Sequence, residues 1–246
     1  MKRFFTLMKN ELKLNIRDMN MVIFALIMPL AVFIVLGLIY RSKPASEGAE
    51  YTFLEQSFGA VCAVSICAGG LMGLPLVVAD YREKKILKRF KATPASPGLL
   101  LGAELAIYML YCAASLMILA IAAYISGAGF GGSLIKFLGS WALTAISTLS
   151  IGMMVGGLAK NSKQAGVIAS VLYFPALLFS GTTVPFEIMP KIMQKLVGLF
   201  PLTQGIGLMK STFLGIPSEY TAAAILTMLL TTAVCTGISV KFFKWE

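Results

Sequence analysis

The chain has 246 residues, of which 58% are apolar and only 13% are charged, and its mean hydropathy is +0.84. Soluble domains carry about 25% charged residues, so this composition excludes an ordinary soluble protein and indicates an integral membrane protein. The net charge of +10 does not indicate nucleic-acid binding, because the basic residues cluster beside apolar segments. Anionic lipid and membrane topology account for such clusters first.

Two residue types limit the chemistry. The sequence contains no histidine, which removes the commonest general base and metal ligand and excludes a Ser-His-Asp triad. The cysteines all lie inside apolar segments without C-x-x-C spacing, and we expect them to be small buried side chains: Cys62, Cys67, Cys112 and Cys235.

Residues 1–18 are predicted to form an amphipathic helix in the headgroup plane of the membrane. Apolar side chains recur at helical spacing on one side of this segment, where Glu11 and Asn15 interrupt them, and basic side chains occupy the other side. A signal peptide is the competing interpretation. It is disfavoured because the apolar segment that follows is too long and lacks a small-residue cleavage site.

Six apolar segments are long enough to cross a bilayer: 19–40, 56–79, 99–125, 134–159, 164–184 and 220–240. Pro29 and Pro75 are expected to bend the first two spans. Gly152 and Gly156 have G-x-x-x-G spacing, which we interpret as packing between helices of one chain rather than as a dimer contact. Residues 185–219 are rich in proline and glycine, and their apolar pieces are too short to cross, so an extracellular re-entrant or interfacial region is predicted.

The distribution of basic residues predicts the orientation of the chain. Fifteen Lys and Arg lie on the side of the N-terminus, the 80–98 loop, the 160–163 turn and the C-terminal tail, whereas five lie in the loops on the other side. The positive-inside rule therefore places both termini in the cytoplasm. The expected fold is an all-α membrane protein with one domain, residues 1–246, that crosses the cell membrane six times.

The most informative stretch joins the second and third spans. Residues 80–98 carry six of the 21 Lys and Arg residues. Asp80 followed by Glu83 predicts a helix start, because both carboxylates can accept from free backbone N–H groups, and Pro94 and Pro97 are expected to end the helix. Physics alone leaves two interpretations open: a helix that docks on a partner protein, and a loop whose charges set topology and contact lipid headgroups.

The same stretch resembles a family signature. The loop of type-2 permeases of ATP-binding-cassette (ABC) exporters is similar to Arg82-Glu83-x-x-x-Leu87-x-Arg89-Phe90-x-Ala92-Thr93-Pro94-x-Ser96. The C-terminal third of that family also resembles two later pieces of this chain, residues 178–190 and 200–203. These permeases are the membrane subunits of bacterial drug, lipid and polysaccharide exporters. One departure is a more basic loop, since Lys85-Ile86 stands where family members commonly have Gly-Thr and Lys88 stands where they have an acid.

The resemblance implies that the 82–91 helix is a coupling helix, which transmits ATP-driven motion from two separate ATPase subunits to a pair of permeases, either two copies or a copy and a sister chain. The chain holds no G-x-x-x-x-G-K-[ST] sequence, so ATP and Mg would be bound by the partner, with no cofactor in this chain. Leu87 and Phe90 are expected to insert into a groove on the ATPase. The full coupling set comprises Arg82, Glu83, Lys85, Ile86, Leu87, Arg89 and Phe90.

The expected function is the permease subunit of an ABC exporter for an amphiphilic or lipid-linked substrate, such as a drug, peptide, lipid or glycan. The alternative is a gradient-driven transporter or channel, but such proteins usually place several ionisable groups at the bilayer midplane. A membrane enzyme is a third possibility, and it lacks the usual acid–base groups because the spans hold no histidine and no acidic cluster.

Glu104 is an acid inside a predicted span rather than in a loop, about one to two turns into the third span. One interpretation makes Glu104 the structural partner of a basic residue such as Arg17 or Arg82. The other makes it a polar group at the cytoplasmic mouth of the substrate path.

Overall fold

The described part of the chain is helical apart from its turns, loops and one isolated bridge. A computed structural model describes residues 2–17, 19–40, 43–45, 49, 51–90, 96–179, 197–198, 200–216 and 221–243. Among these residues five helices are long and apolar enough to cross a membrane: Ile23–Tyr40, Phe53–Glu83, Pro97–Ser126, Leu134–Leu158 and Thr221–Phe242. The prediction of an all-α, multi-pass membrane protein is therefore confirmed, while the six-span layout stays a prediction.

The helices are numbered here in chain order. They are α1 (Lys2–Arg17), α2 (residues 19–40), α3 (Phe53–Glu83), α4 (Ile86–Phe90), α5 (Pro97–Ser126), α6 (Leu134–Leu158), α7 (Ser162–Phe179), α8 (Pro201–Leu214) and α9 (Thr221–Phe242).

Both predicted proline bends coincide with π-helical turns. Ile23–Ile27 in α2 and Ala68–Gly73 in α3 are π-helical, and each ends just before a proline. A proline ring clashes with the carbonyl four residues earlier in an α-helix, and it cannot donate to that carbonyl. The wider π-turn removes this conflict, so Pro29 and Pro75 are accommodated without breaking either helix.

Side-chain caps move two helix starts away from the predicted positions. The hydroxyl of Thr52 accepts from the Glu55 N–H, and the Glu55 carboxylate accepts from the Thr52 N–H at 2.8 Å, so a capping box begins α3 three residues before the predicted span. Ser96 caps α5, and Pro97 is its first residue. Pro97 therefore begins a helix, where its missing N–H costs nothing, rather than ending one.

The third helix is the centre of the bundle, and small residues bring α6 against it. A side chain at Gly152 would overlap the carbonyl oxygen of Gly70, and one at Gly156 would lie 2.7 Å from Val78. These contacts confirm that the G-x-x-x-G spacing packs two helices of one chain. The four cysteines are free and buried, as predicted.

The region after α6 is described in part. The predicted fifth span, 164–184, is helical up to Phe179, and its last residues lie outside the described part, as does most of the first half of the predicted re-entrant region 185–219. The fourteen residues of α8 extend about 21 Å, less than the roughly 30 Å of a bilayer core. This length agrees with the prediction that this apolar piece is too short to cross.

Candidate coupling site

The helix start predicted at Asp80 is wrong. Residues 74–83 form the last turns of α3, so Asp80 lies inside that helix, and its carboxylate forms an ion pair with Lys84 at 2.8 Å. That hydrogen bond and the negative charge of Asp80 raise the pKa of Lys84. The helix continues past Asp80 because no residue between Val77 and Glu83 interrupts α-helical hydrogen bonding.

A tight turn separates α3 from α4, so the predicted 82–91 helix is in fact two elements. Lys84 ends α3, and Lys85 adopts the left-handed conformation with a φ of 57°. The short helix α4 then begins at Ile86. A left-handed non-glycine residue is uncommon, and it stands here where the resembling family commonly has glycine.

The apolar side chains of α4 face the chain's own bundle. Leu87 is only 1% exposed and belongs to a buried cluster with Val78, Leu100 and Phe243. Ile86 and Phe90 are half-buried against the same cluster. The expectation that Leu87 inserts into a groove on an ATPase therefore conflicts with the structure, because Leu87 anchors α4 to its own bundle.

Arg82 binds the carboxyl end of α6. Its guanidinium donates to the carbonyl oxygens of Gly156 at 3.1 Å and Ala159 at 2.6 Å, and it lies 5.7 Å from the ring centre of Phe243. The last carbonyls of a helix have no partner within the helix, and the helix dipole makes this end attractive to cations. Arg82 therefore caps α6 from a neighbouring helix.

Glu83 binds the amino end of the next helix, α7. Its carboxylate accepts from the backbone N–H of Ser162 at 2.8 Å, at the start of α7. A negative charge is favourable there because the first N–H groups of a helix are unpaired and carry the positive end of its dipole. Two adjacent residues of opposite charge thus hold the 159–162 turn, and we refer to Arg82 and Glu83 together as the clamp.

The exposed side of this site is basic. Of the seven predicted coupling residues, Glu83, Lys85 and Arg89 are exposed, and Arg82 is half-buried and bound to backbone carbonyls. Lys84 and Lys88 are also exposed. We refer to Lys84, Lys85, Lys88 and Arg89 as the basic face.

Glu104 lies near this end of the bundle and is completely buried, at 0% exposure. It accepts from Asn15 of α1, whose amide nitrogen lies 3.3 and 3.5 Å from the two carboxylate oxygens, and its Oε1 lies 2.9 Å from the hydroxyl of Tyr81. The predicted ion pair with Arg17 or Arg82 is wrong. Arg82 is occupied by the end of α6, and Arg17 is exposed at the end of α1.

The residues of α1 that bind Glu104 and Tyr81 were predicted only as interruptions of an apolar helix face. Glu11 and Asn15 interrupt the apolar side of the predicted amphipathic helix, and in the structure this side packs against α5. Tyr81 was not singled out at all. A usable signal was present, since two polar residues four positions apart on a buried helix face predict a polar partner on the helix beneath.

These features define a multi-pass α-helical membrane protein with a basic helical turn between the second and third of the helices able to span a membrane. The ABC-2 type transporter family model matches residues 2–214, and the chain belongs to that family. The recognition made from the 82–96 signature is therefore confirmed.

Curated relatives agree with this assignment. The chain is 25% identical over 158 residues to the "Probable multidrug ABC transporter permease YbhS" of Escherichia coli K12, which is 63% of this chain and 42% of the relative. It is 25% identical over 147 residues to the "Probable multidrug ABC transporter permease YbhR" of the same organism, covering 59% and 40%. It is 30% identical over 82 residues to its "Inner membrane transport permease YhhJ", covering 33% and 22%. The chain thus spans about two fifths of the length of the first two relatives.

Proposed function

We propose that the chain is the permease subunit of an ABC exporter, in which ATP hydrolysis on separate subunits moves an amphiphilic or lipid-linked substrate out of the cell. Two ATPase subunits and a second permease, identical or related, complete the proposed complex, and ATP and Mg would be bound by the ATPases. Family membership supports an ABC ATPase as the partner, and the names of the relatives YbhS and YbhR, probable multidrug permeases, support a drug-like substrate.

One observation carries the proposal for how the partner acts. The basic face is exposed on a turn that α4 anchors to the bundle through Leu87 and that the clamp ties to α6 and α7. A force applied to this turn therefore acts on α3, which continues into the turn, and on α6 and α7, which the clamp joins to it. The basic charge favours an acidic surface on the ATPase, because complementary charge steers association and fixes register.

The site residues have different roles under this proposal. Lys85 and Arg89 contact the ATPase, while Ile86, Leu87 and Phe90 hold α4 in place, and Arg82 and Glu83 relay its movement to the 159–162 turn. Cytoplasmic placement of this end follows from the charge asymmetry of the loops. Export, rather than import, is the direction proposed for the substrate.

ATP-driven and gradient-driven transport are separated by a vesicle experiment. Inverted membrane vesicles containing the chain and its ATPase, which then faces the external medium, are given MgATP or no nucleotide in that medium, and uptake of a fluorescent amphiphilic cation is followed. The proposal predicts uptake that requires MgATP, is blocked by vanadate and persists after ionophores collapse the ion gradients. Uptake that needs no ATP and stops with ionophores would instead identify a gradient-driven transporter.

A further inference from the structure

A buried polar cluster joins α1 to two membrane-spanning helices. The hydroxyl oxygen of Tyr81 lies 2.7 Å from Oε2 of Glu11 and 2.9 Å from Oε1 of Glu104. The amide nitrogen of Asn15 contacts Glu104 and also the backbone carbonyl of Glu11 at 3.1 Å. One tyrosine thus bridges an acid of α1 and an acid of α5.

The number of hydrogens available to this bridge indicates whether one of its carboxyl groups is protonated. Both oxygen–oxygen distances are of hydrogen-bond length, and two linear bonds of that length each need their own hydrogen. A tyrosine hydroxyl supplies one hydrogen, whereas an ionised carboxylate supplies none. The carboxyl groups of Glu11 and Glu104 are thus separated by a single tyrosine hydroxyl. A second hydrogen, carried by one of the two carboxyl groups, is therefore needed to complete the cluster.

Burial leads to the same requirement. Glu104 is wholly buried and Glu11 is half-buried, and an unpaired charge in such a place is costly. Among the side chains that the structure describes, neither acid has a basic group within ion-pairing distance. Two ionised carboxylates bridged by one hydroxyl would add repulsion to this cost, and closely spaced buried acids commonly hold one proton between them.

The other titratable groups around the cluster do not neutralise it. Tyr108 and Tyr111 lie one and two turns farther along α5 and carry no charge. The other charged side chains that the structure describes on the elements packed on α5 are exposed, engaged elsewhere or at the opposite end of the bundle: Lys9, Lys13 and Arg17 of α1, Glu55, Asp80, Arg82 and Glu83 of α3, Lys88 and Arg89 of α4, and Lys136 of α6. Between Met19 and Ile39, α2 has no titratable residue.

We propose that Glu11, Tyr81 and Glu104 share one proton beyond that of the tyrosine hydroxyl, and that this proton makes the cluster a pH-sensitive latch between α1 and the bundle. With the proton bound, both bridges form and α1 is held against α3 and α5. When the proton leaves to bulk water, the cluster keeps two negative charges and one bridging hydrogen, and α1 loosens. Tyr81 directly precedes the clamp in sequence, so loosening also reaches the start of the basic turn.

The sign of the pH dependence follows from the proton count. The folded chain binds one more proton than the unfolded chain, in which both glutamates are solvated, so stability falls as pH rises until the folded cluster has also lost its proton. Over that interval the ratio of folded to unfolded chain falls by about tenfold per pH unit. Glu104→Gln keeps the shape of the side chain and supplies amide hydrogens permanently, so it mimics the proton-bound state.

The test uses the purified full-length chain in lipid nanodiscs. Infrared spectra at low and high pH report the C=O stretch of a protonated carboxyl group, and hydrogen exchange at each pH reports the protection of residues 2–17. We expect the wild-type chain to lose the protonated band and the protection together as pH rises. Glu104→Gln should lack that band and keep α1 protected throughout, while Glu55→Gln, at the opposite end, should behave as wild type.

Two results would overturn the proposal. One is a wild-type chain with no protonated carboxyl band at any pH at which it is folded. The other is a Glu104→Gln chain in which the protection of α1 keeps the pH dependence of wild type. If Glu104→Gln fails to fold, Glu11→Gln replaces it, since Glu11 is the half-buried acid of the same bridge. The expected result is again a missing protonated band with α1 protected at every pH, and pH-dependent protection as in wild type would again overturn the proposal.

Discussion

Replacing Arg82 with glutamine removes the cation that ties α3 to the end of α6. The guanidinium donates to two carbonyls, at 3.1 Å from Gly156 and 2.6 Å from Ala159. Hydrogen bonds to charged groups contribute about 1.5–3 kcal/mol each, but Arg82 is only half-buried and water can reach both carbonyls once it is gone. We therefore expect Arg82→Gln to lose about 2 kcal/mol of stability, which corresponds to a fall of about 4–8 °C in Tm for a chain of this size.

The two following residues provide a matched series. Glu83→Gln should lower the Tm less, because the amide oxygen can still accept from Ser162 and the group is exposed. Lys84→Gln should change the Tm least, because it removes only an exposed ion pair within one helical turn. Thermal unfolding in nanodiscs, followed by tryptophan fluorescence, measures all three. An Arg82→Gln chain with the Tm of wild type that fails to bind its ATPase would refute the stabilising role of Arg82 in the clamp. It would instead indicate that Arg82 contacts the partner.

The remaining predictions concern α4 and the orientation. Leu87→Ala should cost about 2–5 kcal/mol because the side chain is buried in its own bundle, whereas Leu87→Met should cost less than about 1.5 kcal/mol; an unchanged Tm for Leu87→Ala, measured in the same unfolding assay, would contradict that packing. Ser133 and Asn161 are both exposed, and each is replaced by cysteine. An impermeant thiol reagent should label the cysteine at 133 in intact cells and the cysteine at 161 only after lysis. The reverse pattern would invert the proposed orientation.

The features that follow from local sequence were predictable. The apolar segments, the amphipathic N-terminal helix and the short piece before the last span depend on periodicity and length. The capping box that begins α3 could also have been found, since Thr52 and Glu55 stand three residues apart before an apolar run. Its omission placed the start of that helix three residues too late.

The features that depend on distant parts of the chain were not predictable. The partners of Arg82 and Glu83 lie more than 70 positions away, so their charges appeared available for another protein. Leu87 was assigned outward because a short helix with one apolar face does not reveal which of two partners covers that face. Glu104 was expected to pair with a cation, and the residues that bind it, Asn15 and Tyr81, are neutral.

Charge reversal on the basic face tests the central claim most directly. The chain with Lys85→Glu, Lys88→Glu and Arg89→Glu is compared with wild type and with Lys43→Glu, an exposed lysine in the loop before α3, on the opposite side from the basic turn. Each is affinity-purified from membranes that also contain the ABC ATPase, and bound ATPase activity is measured per permease. The account predicts that wild type and Lys43→Glu retain the ATPase, while the triple reversal loses it without a fall in Tm. Retention of full ATPase activity by a normally folded triple reversal would contradict the account.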